Sequence, residues 1–140
     1  MKSPHPSTSR LTSTTDLIVL ALLLILPGLA TDRLAQVIDY RLVAGWAAGL
    51  PLITYFLYAS DKKRATGGQW RISEGTLHLF ELLGGWPGAF LAQRRLRHKS
   101  AKGSYLVSFW VIVTVHQFVA ADWLLRWRMS AGIAGLFHRG

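Results

Sequence analysis

Within "RISEGTLHLFELLGGWPGAFLAQRRLRHKS" (Arg71–Ser100), Glu74, His78 and Glu81 are spaced four and three residues apart. On a helix that spacing puts two carboxylates and an imidazole on one face. Glu81 is set among Leu79, Leu82 and Leu83. A carboxylate in such an apolar run costs a few kcal/mol at membrane depth, roughly 3 on insertion scales, unless it is paired, which makes it a functional candidate by default. His78, one turn earlier, can share a proton with it or point with it at a common ligand. His98, in the basic tail of the stretch, is the fourth candidate for proton transfer. The structural alternative is that Glu81 pairs with a cation from the basic loops and locks the fold. A metal set of Glu74, His78 and Glu81 with His98 or His116 fits helical spacing in outline, but no tight ligand motif is present and no metal is assigned. No cofactor is indicated.

A second group is cationic. "RRLRHKSAK" (Arg94–Lys102) gathers Arg97, His98, Lys99 and Lys102, while Asp61, Lys62 and Arg71 flank the start of the stretch. Guanidinium forks and ammonium groups bind phosphate. If the two basic segments share a side, they form a collar around the Glu/His face that suits an anionic lipid or a phosphorylated ligand. The competing reading is interface anchoring by snorkelling side chains.

These residues need elements to hold them. The chain has 140 residues, 51% of them hydrophobic, with no cysteine and a formal charge of +9. Length bounds it to one domain. The apolar residues come in blocks with cations at their ends, the pattern of a helical membrane protein facing anionic headgroups, so lipids are the expected partners and nucleic acid is not. The fold class is therefore an all-α membrane protein, a small bundle of three to four transmembrane segments. Residues 1–16 read as a disordered tail, 17–128 as one membrane domain and 129–140 as a short C-terminal tail.

Leu17–Ala30 is a short apolar run, for which a cleaved signal peptide is the rival reading. Leu42–Ala59 is a clearer span, and its Gly45 and Gly49 form a small-residue face for a helix partner or a second copy. Ser104–Leu125 is the cleanest span. Asp122 and Arg126 after it stand in the favourable order for a helical ion pair.

The fourth block, Thr76–Gln93, is broken at Gly84-Gly85-Trp86-Pro87-Gly88. If it crosses, the two sides hold nine and seven Lys and Arg; if it dips in and returns, they hold eleven and five. The positive-inside rule favours the second arrangement, with the N-terminus and both basic loops cytoplasmic. Four simple spans remain the alternative. Read as one helix, Glu74, His78, Glu81, Gly85, Gly88 and Ala92 share a face that is polar first and smooth afterwards.

The string from Tyr58, Asp61 and Lys62 through Trp70, Arg71, Ile72, Glu74, Leu77 and His78 to Gly84-Gly85-Trp86-Pro87-Gly88-Ala89, Ala92, Gln93, Arg97, His98, Lys99 and Lys102 resembles a known family. It is the small bacterial membrane-protein family called domain of unknown function twelve-ninety-four, some members of which carry a cold-shock domain ahead of the membrane part. The resemblance covers Leu42 to about Leu125. It implies an integral helical membrane protein, supplies no activity, and singles out the same Glu, His and cation positions. Residues 1–16 are too short for a cold-shock barrel.

Overall fold

The computed structural model describes residues 12–97 and 102–137, which are helical and without strands. Helix α1 is Thr14–Ala35, α2 Tyr40–Thr66, α3 Glu74–Phe80, α4 Trp86–Leu96, α5 Gly103–Leu124 and α6 Arg128–Phe137. Three of them, α1, α2 and α5, are long and apolar enough to cross a membrane. Their outer faces are bare: Ile18, Leu22, Ile25, Phe56, Val107 and Val111 are each more than half exposed. An apolar surface that continuous belongs against lipid rather than water.

Local chemistry sets the helix ends. Ser13 and Asp16 form a reciprocal capping box at the start of α1, so helix begins within the segment read as tail. Pro27 removes one amide from α1, and the carbonyl four residues earlier, Leu23, accepts a 2.7 Å bond from Gln117 Nε2 of α5. A polar side chain in mid-span thus satisfies a backbone group that lipid cannot. Arg33 closes the far end of α5 by donating to the Leu124 carbonyl at 2.9 Å.

The fourth apolar block is a hairpin. Helix α3 leaves the end of α2 where Ile72 N donates to Asp61 Oδ1 at 2.9 Å. Its tip reaches the middle of α2, and α4 then runs back until Lys62 Nζ bonds the Leu96 carbonyl. Two features of the break enforce the reversal. Gly84 has φ +117°, which side-chain-bearing residues rarely adopt. Gly88 lies so close to α2 that a Cβ there would be 1.8 Å from the Pro51 carbonyl oxygen. The two ends of the block therefore lie at the same end of α2, the geometry of the arrangement that the charge count favours, and Lys102 at the start of α5 pairs with Glu74 at the start of α3 at 2.9 Å. Arg94, near the end of α4, reaches Asp16 of α1 at 3.5 Å.

Two expectations are corrected. The single face through Glu74, His78, Glu81, Gly85, Gly88 and Ala92 does not exist, because Gly84 ends the helical phase; Gly85 and Gly88 belong to the turn and the returning arm, which pack on α2. The Asp122–Arg126 helical pair is not made, because α5 stops at Leu124 and Arg126 has a φ of 55°. Asp122 instead accepts from the amides of Met129 and Ser130 at 3.0 and 3.3 Å, capping α6, which occupies most of the segment read as a C-terminal tail.

The core sits where hairpin, α2 and α5 meet. Tyr58, Leu77, Trp86, Phe90, Tyr105 and Phe109 are all buried. In lipid no hydrophobic force drives this packing, so close dispersion contact and interhelical hydrogen bonds carry it. Gly45 and Gly49 face no neighbouring atom within 4 Å.

Candidate functional site

The hairpin lowers Glu81 into the bundle, where it is fully buried. Three elements converge on it. Tyr58 of α2 donates its hydroxyl to Glu81 Oε1. Tyr105 of α5 donates to the same oxygen at 3.0 Å and also contacts the Tyr58 hydroxyl. His78 of α3 places Nδ1 2.6 Å from Glu81 Oε2. Gln93 of α4 completes the group, its Nε2 donating to the Tyr58 oxygen at 3.2 Å.

Each position has a local reason. Ser73 caps α3 by accepting from Thr76 N at 3.1 Å, which fixes the helix that carries His78 and Glu81 one turn apart. The His78 ring stacks on Tyr105 with centroids 4.2 Å apart. Tyr58 and Gln93 meet because α4 returns alongside α2. The carboxylate is thereby supplied with three donors, which is what a buried anion needs in a low-dielectric interior.

The expectation that Glu81 pairs with a cation from the basic loops is corrected: two phenols and an imidazole hold it instead. This has a chemical consequence. With Nδ1 directed at Glu81, Nε2 is the edge of His78 left for other chemistry, and the His78 side chain is 21% exposed. A carboxylate orienting one imidazole nitrogen while the other has no hydrogen bond among the described residues is an arrangement that a general acid or base can use.

Glu74 lies at the start of α3, at the end of the bundle where the hairpin begins and returns, its mouth. Lys102 holds it there, and it does not join the buried group through the contacts described. Among the described residues no three His, Asp or Glu side chains gather as a metal site.

The cationic candidates are distributed around the mouth. Arg71 is 3.4 Å from Asp61 Oδ2, and Asp61 itself is fully buried and anchors the 67–73 loop. Lys62 is engaged at the end of α4. Arg97 is exposed, in left-handed backbone with φ 49°, just past α4. His98 and Lys99 lie outside the described residues. Between residues 61 and 102 there are nine Lys and Arg against three Asp and Glu, so these pairings leave an excess of positive charge at this end.

Sequence reasoning singled out Glu81 and His78 but gave no role to Tyr58, Gln93 and Tyr105. Tyr58 and Gln93 were in the family string; Tyr105 stood at the start of the last span with no local signal. A buried carboxylate requires donors, and a tyrosine near the end of a neighbouring span was the available clue.

No curated protein and no solved structure matches the chain. A family model does match: residues 51–105, the stretch that contains Tyr58, His78, Glu81, Gln93 and Tyr105, fit the family described as Protein of unknown function (DUF1294), the one that the motif resembles.

Proposed function

We propose that this is a multi-pass protein of the bacterial inner membrane that binds an anionic lipid headgroup or phosphorylated ligand at the cytoplasmic boundary. The observation that supports it is the coincidence of two features: the cation excess between residues 61 and 102, and His78, the most exposed member of the otherwise buried cluster. Arg71 precedes α3, Arg97 follows α4 and Lys102 precedes α5, and His98 and Lys99 fall between the last two in sequence. Arg71 and Lys102 are each positioned by an acid, Asp61 and Glu74, and the net positive charge comes from the cations in excess of the three acids of this segment. Three crossings with a re-entrant hairpin put both basic segments on the cytoplasmic side under the positive-inside rule.

The test is thermal unfolding of the purified chain in mild detergent with added phosphatidylglycerol or phosphatidylcholine. Ligand at a hundred times its Kd stabilises by about 2.7 kcal/mol. The anionic lipid is expected to raise Tm and the zwitterionic one not, and Arg71→Gln with Lys102→Gln is expected to abolish the difference. Equal response to both lipids would sink the reading.

The 2.6 Å His78–Glu81 contact favours one second reading. In it the same mouth is an enzyme that modifies a lipid headgroup, with His78 Nε2 as acid or base. Membranes from cells producing the wild type would then contain a headgroup product absent with His78→Gln. Identical lipid profiles would remove this version.

A further inference from the structure

On the flank away from the basic mouth lies a cavity of about 410 Å³, bounded by α1, α5, Trp46 of α2 and the hairpin tip. Its walls include Trp46, Trp123, Trp127, Leu82, Leu83 and His116. Trp46, Leu82, Leu83 and Trp127 are about half exposed, so the cavity opens sideways on the apolar surface rather than into the bundle. Its volume falls in the usual range for small-molecule sites, roughly 300–1,000 Å³. Three indole rings around one space favour a flat aromatic occupant.

Among the polar groups in this wall, which include Thr31 and a Trp123 indole nitrogen without a partner among the described residues, His116 has a defined orientation. His116 Nδ1 is 2.9 Å from the Ile112 carbonyl oxygen. A carbonyl can only accept, so Nδ1 carries a proton, and the neutral form of the ring then offers Nε2 as an acceptor. No hydrogen bond to Nε2 is present among the described residues. His116 sits in the middle of α5, a depth at which acyl tails offer no donor. An acceptor there is complemented by an apolar molecule that brings a hydroxyl.

We infer that this cavity binds a flat aromatic hydroxy compound of the phenol or quinol class, with its ring among Trp46, Trp123 and Trp127 and its hydroxyl donating to His116 Nε2. The site is separate from the basic mouth and takes a neutral ligand, so either can fail without the other. Access is lateral, between α1 and the hairpin tip, from the surrounding apolar phase. No redox step is needed for the binding.

Two probes with the same ring system test it: 2-naphthol, which donates a hydrogen bond, and 2-methoxynaphthalene, which cannot. Adducts of the full chain released from mild detergent are counted by native mass spectrometry over a titration. Wild type is expected to bind the naphthol about five- to tenfold more tightly, the value of one hydrogen bond in an apolar site. His116→Phe should remove the preference while retaining ring binding. Ala30→Trp, which fills the cavity, should remove both adducts. The inference is overturned if wild type binds the probes equally or binds neither, if the preference survives His116→Phe, or if Ala30→Trp changes nothing. Should His116→Phe fail to fold, the wild-type comparison of the two probes still decides the point.

Discussion

Glu81 and Asp122 are both buried carboxylates, at 0% and 2% exposure, yet they are held in opposite ways. Asp122 accepts from two backbone amides and its role ends there, since the amides it holds cannot titrate or move without unwinding α6. Glu81 accepts only from side chains, two phenols and an imidazole, one of which keeps an outward edge. The difference separates a carboxylate held by fixed backbone groups from one held by titratable side chains, on which the proposed function rests. It also shows why counting buried acids does not locate a site; the identity of the donors does.

The comparison breaks first at Glu81. Glu81→Ala leaves Tyr58, Tyr105 and His78 without their shared acceptor and opens a void, so unfolding free energy in detergent is expected to fall by about 3–5 kcal/mol. A loss below 1 kcal/mol would mean that the cluster does not hold the hairpin. Tyr58→Phe removes one donor and strands the Gln93 amide, for an expected loss of about 1–3 kcal/mol by the same measurement.

Asp122→Ala is expected to cost about 1 kcal/mol, the value of an N-cap. Hydrogen exchange should localise that effect to the Met129 and Ser130 amides, and a change spreading to α3 would erase the contrast between the two acids. Smallest in stability is His78→Gln, expected within about 1 kcal/mol because an amide can still donate to Glu81. Its effect should appear in headgroup binding or turnover; a variant that loses neither would return Glu81 to a structural role.

Much of the fold was legible. The three spans follow from apolar runs long enough for a bilayer, although α2 runs on to Thr66 because Asp61 and Lys62 continue its helix beyond the apolar block. The hairpin was suggested by the charge count and by Gly84-Gly85, but four crossings fitted the same hydropathy. Less of the site was readable. A helical wheel carried through Gly84 produced a face that the backbone does not keep. The meeting of Tyr58, Gln93 and Tyr105 depends on α4 and α5 returning to α2, which no local pattern encodes. Asp122 and Arg126 were misread for a related reason, since spacing predicts a pair only while the helix lasts.

The hairpin's dependence on Tyr105 has a consequence for biogenesis. The chain is made from its N-terminus, so α3, the turn and α4 emerge before the α5 residue that completes the donor set around Glu81. Until α5 arrives, the hairpin carries an under-supplied acid and cannot settle at depth. The donor set around Glu81 is therefore complete only once Tyr105 has been made, so a chain truncated before α5 is expected to hold its hairpin less firmly than the full chain.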